Sequence, residues 1–358
     1  MIKLSKGLFA GLMLLLSTKI QAQDYISALL NSGPAADASK LASAYLQPLF
    51  KGFGNGINSG WNNTAKTKKL LGFDLRVSSS VVFIPSKDKS FDLTKIGLSN
   101  NVRPADPNNT ITTTIGGSKD VASQIAIYDN NNNKLKTVTL PSGVLSVIPA
   151  PQIQLTAGLV YHTEATLRYM PSINFGSNIG SISSIGFGLK HNILQDFVGK
   201  TADKIIPLDL AISLGFTQLK YRLPVNVQPD QNAQPKDDQQ NTDFSNQRLS
   251  GTFNGFNAEV IVSKKIMFFT PFASVGYLTS HTNVGLLGNF PITTGINNII
   301  QQQPTYTTFT DPISIKERST NNAKASVGFQ MNLAFFRFYA AYTASQYQSV
   351  NAGVGFGL

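Results

Sequence analysis

The clearest pattern in the chain is an alternation of apolar and polar residues with a period of two. In the segment 207–217, the apolar positions are Leu208, Leu210, Ile212, Leu214 and Phe216. The positions between them are small or polar, apart from Asp209, which is charged. Successive side chains of a strand point to opposite faces, so this pattern predicts a strand with one apolar and one polar face.

Ten segments in all, including this one, show the same alternation, and each has roughly the length that a membrane-spanning strand needs. They are 70–84, 152–161, 163–171, 179–190, 207–221, 247–263, 268–281, 323–333, 336–344 and 350–358. A soluble β-sandwich would also alternate. The 23 Phe and 11 Tyr, and the 14% of charged residues, favour a barrel in lipid. The fold class predicted is all-β, a closed antiparallel transmembrane β-barrel.

The connections between these segments support a barrel whose chain begins and ends in the periplasm. Tight turns are expected near His162, Lys264 and Ala334, and long polar loops over 222–246 and 282–322. Short periplasmic turns and long extracellular loops are typical of outer-membrane barrels. The connection 191–206 is longer, and apolar residues at helical spacing in its first part predict a short helix on the inner membrane boundary.

The stretch 85–151 leaves the number of barrel strands open. It is polar and rich in turn residues, and it contains plausible short strands at 110–115, 121–128 and 134–140. None or an even number of these can join an even-stranded barrel. The prediction is therefore 10 to 14 strands, with 12 as the best estimate.

The sequence divides into three parts: 1–22, 23–69 and 70–358. Residues 1–22 have the cationic start, the apolar core of about ten residues and the small-residue end of a signal peptide, with cleavage expected after Ala22. Such a core is too short to span a bilayer, which takes about twenty residues. This predicts Sec export, and the barrel at 70–358 then belongs in the outer membrane.

Residues 23–69 precede the barrel. Ala38, Leu41, Tyr45 and Leu49 recur at helical spacing, and Pro48 is expected to bend or end that helix. The aromatic and glycine-rich run 50–56 follows. A segment of this length either stays in the periplasm or folds into the lumen as a plug, and the sequence does not separate the two.

Composition excludes several kinds of chemistry. The chain has no Cys, so disulfides and thiolate metal sites are excluded. The formal charge of +11 is scattered, with 66–69 the only tight basic cluster, and nucleic-acid binding is not expected. The partners expected are outer-membrane lipid and the phosphates of lipopolysaccharide, together with a small hydrophobic solute in the case of transport.

No catalytic, cofactor or metal site is predicted. The three His, at 162, 191 and 281, lie in separate segments, whereas a metal site needs converging ligands. Thr279, His281 and Asn283 share a strand face, but Ser280 points to the other face, so no Ser–His arrangement is expected. The protein is not expected to be an enzyme.

The candidate site residues are charged side chains predicted to face the lumen. They are Asp74, Arg76, Glu164, Arg168, Lys190, Asp209, Glu259, Lys324 and Arg337. Unpaired charge is costly in a narrow enclosed space. Two interpretations stay open: a ladder of salt bridges that braces the wall, and a polar constriction that selects a solute.

Several runs resemble a family of outer-membrane barrels from Bacteroidota that has no assigned activity. They are 185–191 with 206–210, Ala150-Pro151-Gln152, Leu167-Arg168-Tyr169-Met170-Pro171, and Phe53-Gly54-Asn55-Gly56-Ile57-Asn58-Ser59-Gly60-Trp61. The resemblance implies fold and location only. In architecture the chain is also distantly similar to the fatty-acid and hydrocarbon channels of the outer membrane, which have fourteen strands and an N-terminal plug.

Two functions follow as hypotheses. The first is passive transport of a small, hydrophobic solute, because about eight strands leave a bore filled by side chains and 16 to 18 leave a wide water channel. The second is a non-transporting barrel whose long loops at 85–151, 222–246 and 282–322 bind partners or stabilise the envelope.

Overall fold

A computed structural model describes residue 30 and residues 35–128, 131–176, 180–198, 208–297 and 303–357. The predicted signal peptide lies outside the described residues. The α-helices whose bounds the structure describes are α1 (Ala35–Ile57) and α2 (Leu194–Val198), and two short 3-10 helices lie at Ser86–Asp88 and Leu93–Lys95. No helix among these residues is both long enough and apolar enough to cross a bilayer.

Ten strands form a closed antiparallel barrel. They are β1 (Phe73–Phe83), β7 (Val147–Gly158), β8 (Thr163–Asn174), β9 (Ser181–Asn192), β10 (Asp209–Pro224), β12 (Arg248–Ser263), β13 (Phe269–Leu287), β16 (Ile313–Leu333), β17 (Phe336–Ala344) and β18 (Ser349–Gly357). Their order around the wall is β1-β18-β17-β16-β13-β12-β10-β9-β8-β7, and β1 closes the ring by pairing with both β18 and β7.

The eight remaining strands lie outside the wall. They are β2 (Ser90–Asp92), β3 (Val102–Pro104), β4 (Ile111–Thr113), β5 (Gln124–Tyr128), β6 (Lys134–Thr139), β11 (Gln234–Pro235), β14 (Asn289–Asn297) and β15 (Gln303–Thr310). They form three small sheets, β2-β4, β3-β5-β6 and β11-β15-β14. The short strands foreseen in 85–151 thus exist but pair with one another. The barrel therefore has ten strands, within the predicted range and below the best estimate of twelve.

The two ends of the barrel differ. At one end, the turn end, the barrel chain begins at Phe73 and ends beside it at Gly357. The connections at this end are short except for the one that carries α2. At the other end, the loop end, the described parts of 84–146, 225–247 and 288–312 form a cap that contains the three small sheets.

The wall has an apolar outside and a polar inside. On β10, Ile212, Leu214 and Phe216 are 42–52% exposed, so they do not pack against a protein interior. The alternate residues, such as Ser213 and Thr217, are buried inside the barrel. Phenylalanine rings gather on the outside of the turn end, where the Phe356 ring packs against those of Phe73, Phe335 and Phe336.

Candidate functional site: a segment that fills the barrel

The segment before β1, residues 35–69, passes through the barrel and is called the plug segment here. The first half of α1 lies in the cap, where Tyr45 Oη donates to the carbonyl of Ser142 at 2.8 Å and Ile115 N donates to the carbonyl of Tyr45 at 3.0 Å. Just after the other end of the segment, Leu71 N donates to Gly158 O beside the turn end. In the structure this segment therefore lies in the bore of the barrel.

Glycines let α1 fit inside so narrow a wall. A Cβ placed on Gly52 would lie 2.1 Å from Ile148, and one on Gly56 would lie 2.5 Å from Ala150, both on β7. A Cβ on Gly54 would lie 2.1 Å from Ser280 Oγ on β13, a different part of the wall. The helix therefore touches separate sides of the barrel at once, with no space left for a side chain at these positions.

The helix ends inside the barrel at Ile57, and Gly60 has a positive φ of 65° where the chain turns away. Its last carbonyls have no partner within the helix. The guanidinium of Arg168 supplies one, since Nη1 donates to Ile57 O at 2.8 Å and Nη2 donates to Ser59 O at 2.9 Å. A cation at this point also meets the negative end of the helix dipole.

Trp61, the only Trp of the chain, sits between the wall and this guanidinium. The carbon at the centre of the Arg168 guanidinium lies 3.7 Å from the indole centroid, which is a cation–π contact. On β9 and β10, Gly188 and Gly215 lie directly under the ring: a Cβ there would come within 2.6 and 2.5 Å of it. Arg76 also donates to the carbonyl of Trp61 at 2.9 Å.

Two buried ion pairs hold the rest of the plug segment. Lys324 and Glu259 lie 2.9 Å apart, and Glu259 also accepts from Asn62 at 2.8 Å. Lys190 and Glu164 lie 2.8 Å apart. Lys190 Nζ donates to the Thr64 carbonyl at 2.8 Å, and Glu164 accepts from a backbone N–H of the segment, that of Lys68, at 3.1 Å. Each pair thus joins the wall to the plug segment as well as one strand to another.

The structure places all nine candidate residues on the inside of the barrel. Asp74, Arg76, Glu164, Arg168, Lys190, Glu259 and Lys324 are buried, and Asp209 and Arg337 are half-buried. Arg337 pairs with Asp74 at 2.6 Å, and Asp209 accepts from Asn192 at 2.9 Å. Some of these contacts join strands of the wall to one another. Others join the wall to the plug segment, and the sequence interpretation did not include these.

The histidines are arranged differently from the prediction of separate positions. His191 Nε2 lies 2.7 Å from Asp196 Oδ2, and His162 Nδ1 lies 3.4 Å from the other oxygen of the same carboxylate. The hydrogen bonds from His191 and then His162 lower the pKa of Asp196 below its ordinary value of 3.8. No group of three or more His, Asp and Glu in the described part of the chain is arranged to hold a metal ion.

The remaining histidine is remote from these. His281 is exposed on the outside of β13, whereas Ser280 is buried inside the wall with Ser319 and Thr320 at 2.7 and 2.6 Å. Successive side chains of β13 point to opposite faces, so the two residues lie on different sides of the wall. Ser280 and His281 are therefore not brought together.

The fold and the filled bore define the class: a ten-stranded β-barrel closed by its own N-terminal segment. The chain belongs to the family of unknown function DUF6588, whose model matches residues 1–358. No curated protein matches it.

Among solved structures, the chain is similar to the outer-membrane protease OmpT from Escherichia coli, with 9% identity, 84% of this chain and 100% of that chain covered and a TM-score of 0.33. It is also similar to Ail, the attachment invasion locus protein of Yersinia pestis, with 7% identity, 80% and 97% covered and a TM-score of 0.25. A third is the toluene transporter TodX of Pseudomonas putida, with 9% identity, 80% and 89% covered and a TM-score of 0.24. At these TM-scores the similarity transfers no property to this chain.

Proposed function

We propose that the protein is an outer-membrane barrel whose bore is permanently closed and which presents its cap at the cell surface. The location is supported by the outside of the wall. From Leu208, the residue before β10, to Phe216 within it, the outward side is apolar over about 27 Å at about 3.4 Å per residue. With a strand tilt of about 40°, this is about 21 Å along the membrane normal, close to the apolar band of about 25 Å of such barrels.

The closed bore rests on one observation: the plug segment contacts the wall along its whole passage through buried polar groups. Separating it from the wall would strip Arg168 of its carbonyl partners and leave the charges of Glu259 and Glu164 with fewer hydrogen bonds in a narrow space. Leaving buried polar groups without partners costs about 1–3 kcal/mol for each group. A plug held in this way is a structural part of the barrel.

The cap then carries the function. Its hydrophobic core is continuous with α1, since Leu41 and Tyr45 are buried in the same cluster as Leu93, Ile125 and Phe290. The plug segment thus ties the cap rigidly to the wall. This arrangement supports the second hypothesis, a non-transporting barrel that offers the cap to partners, over passive transport of a small, hydrophobic solute, which would need the plug segment to move.

A disulfide lock tests the proposal. Ser59 Oγ in the plug segment and Ser349 Oγ on β18 lie 3.3 Å apart, and the chain has no native Cys. The variant S59C/S349C, oxidised, fixes the plug segment to the wall. The matched control S326C/T343C joins β16 to β17, where the two hydroxyls lie 2.9 Å apart, and leaves the plug segment free.

The proteins are reconstituted in liposomes, and ion conductance and sugar-driven swelling are measured, with mass spectrometry for any lipid-like molecule that co-purifies. We expect the wild type, the oxidised lock and the control to match protein-free liposomes and to carry no ligand. Flux through the wild type that the oxidised lock stops and reduction restores would establish transport and overturn the proposal.

A further inference from the structure

The Lys and Arg side chains of the barrel strands divide into an inward and an outward set. The inward set, already described, contacts the plug segment or neighbouring strands. The outward set consists of Lys220, Arg222, Arg248, Lys316 and Arg318, all of which are exposed. Every one of these five lies on β10, β12 or β16, which with β13 are four consecutive strands of the wall.

The strand register brings these residues into rows. Lys220 pairs with Thr252, Thr252 with Asn283, and Asn283 with Lys316. Three strand spacings of about 4.8 Å set the two lysine positions about 14 Å apart. The neighbouring row, Gln218, Asn254, His281 and Arg318, is built in the same way. The five cations together with His281 are called the basic patch here.

The cations of the basic patch are not neutralised by ion pairs among the described residues. No ion pair joins any of its five cations to a carboxylate among the described residues, whereas Lys190, Lys324 and Arg337 inside the barrel are all paired. Arg318 Nε donates to His281 Nε2 at 3.4 Å. Glu317, the acid between Lys316 and Arg318, forms no ion pair with either of them and accepts a hydrogen bond from Ser43 of α1 at 3.3 Å.

The polar groups between the cations could share a ligand with them. One open depression of about 350 Å³ in the wall is bordered by Asn254, His281, Thr282, Asn283, Lys316 and Arg318, and also by the carboxylate-bearing Glu317. Amide, imidazole and ammonium N–H groups together are donors suited to phosphate oxygens. A depression with donors on several strands favours a ligand with more than one acceptor group.

The position of the basic patch identifies the source of such a ligand. On β10 the outward residues run Leu210, Ile212, Leu214 and Phe216, and then Gln218, Lys220 and Arg222 toward the loop end. On β16 they run Val327, Ala325 and Ala323, and then Asn321, Arg318 and Lys316 in the same direction. The cations therefore begin where the apolar band ends, which is the level of lipid headgroups.

We propose that the basic patch binds the phosphates of an anionic glycolipid of the lipopolysaccharide class in the outer leaflet. The two cation clusters, one on β10 and one on β16, engage separate phosphate groups of one headgroup, and the apolar residues beside them contact its acyl chains. This inference rests on the proposed outer-membrane location and names the lipid that surrounds this side of the wall.

The test uses the full chain purified in a neutral detergent, with fluorescent lipopolysaccharide as the probe. The variants are K316Q/R318Q and K220Q/R222Q, which each remove two charges of the patch. The control K264Q/K265Q removes two exposed lysines at the turn end. We expect each patch variant to bind on the order of tenfold more weakly than the wild type, which corresponds to about 1.4 kcal/mol. The control keeps wild-type affinity and all variants keep the wild-type melting temperature.

Two competitors distinguish the source of the phosphate. Dephosphorylated lipopolysaccharide should displace the probe poorly, and 10 mM inorganic phosphate should displace only a small part of it. Equal displacement by the dephosphorylated lipid, or equal loss of affinity in the turn-end control, would overturn the proposal. Full displacement by inorganic phosphate would overturn the lipid as the ligand. Failure of the membrane location is read separately, by fractionation of cells that express the wild type.

Discussion

Arg168 is among the largest side chains that are completely buried in this fold, with 2% exposure. Among the described residues, its guanidinium has no carboxylate as a hydrogen-bond partner. Its partners are two plug-segment carbonyls, the Gln154 side chain at 3.0 Å and the face of Trp61. A lysine would keep the positive charge but would lack the planar guanidinium, whose two Nη atoms donate to Ile57 O and Ser59 O at the same time. The residue type follows from this geometry.

The variant Arg168→Met tests how much this single side chain contributes to the free energy of unfolding. The variant loses three charge-assisted hydrogen bonds and leaves the buried Ile57 carbonyl without its donor, whereas Ser59 O keeps the one from Gln152. This should lower the free energy of unfolding by about 3 kcal/mol. Urea titration in lipid vesicles measures it. Since Trp61 is the only Trp, its emission should also shift to the red and become more open to quenching by acrylamide. Arg168→Lys should be intermediate, and the outward-facing Arg222→Met unchanged. A wild-type spectrum for Arg168→Met would contradict this role.

The glycine under the Trp61 ring gives a second prediction at this scale. Gly215→Ala puts a methyl group 2.5 Å from the indole, so the ring must shift at a cost of about 1–3 kcal/mol. In a Trp61→Ala background the same methyl group meets no ring. The double-mutant cycle should therefore show a coupling of about 1 kcal/mol or more between the two positions. Additive effects would mean that the strand itself, and not the ring, needs the glycine.

At the scale of elements, α2 shows how a short helix is held at the turn end. It is only five residues long, too short to be stable alone. Asp196 within it accepts from His191 of β9 and from His162 of the turn between β7 and β8. One carboxylate thus ties the helix to two parts of the wall. The helix was predicted from its apolar spacing, but its anchor was not, because the two histidines are 29 positions apart in sequence.

Asp196→Asn tests this anchor through pH. A carboxyl whose pKa is lowered in the fold contributes stability above its ordinary pKa of 3.8 and loses it as the pH falls through the lower folded value. Amide hydrogen exchange of Leu194–Val198, corrected for the intrinsic rate, should therefore show a loss of protection at acid pH in the wild type. The variant should show low protection without this step, and β10 amides serve as the internal control. Identical pH profiles would remove Asp196 as the anchor.

The same scale explains what the sequence could predict. Each barrel strand overlaps one of the ten predicted segments, because alternation is a local property that a bilayer on one face enforces. The pairing of the strands in 85–151 was not predictable, because β2-β4 and β3-β5-β6 depend on which partners are near in space. The contact of the Trp61 ring with β9 and β10 was not predicted either, because it also depends on which residues are near in space. The aromatic and glycine-rich run 50–56 gave no sign of these contacts in the sequence, although its glycines mark close approach to the wall.

At the scale of the whole molecule, the path of the plug segment has a consequence for topology. The start of α1 lies in the cap, where Asp37 accepts from Ser99 at 2.5 Å, and β1 begins at the turn end. The chain therefore runs through the bore from the loop end to the turn end before the first strand begins. In the proposed orientation, the start of α1 is on the cell surface although the barrel itself begins and ends at the periplasmic side.

Single-cysteine labelling tests this path, and the absence of native Cys removes any background. Ala36→Cys at the start of α1 and Val121→Cys in the cap replace exposed residues at the loop end, and Lys265→Cys replaces one at the turn end. In intact cells, a maleimide that does not cross membranes should label the first two and not the third. Lys265→Cys should react only after the outer membrane is permeabilised. Labelling of Lys265→Cys in intact cells would reverse the orientation. Positions 36 and 121 lie at the same end of the barrel only if the plug segment passes through the bore. If Val121→Cys were labelled and Ala36→Cys were not, α1 would not reach the cell surface.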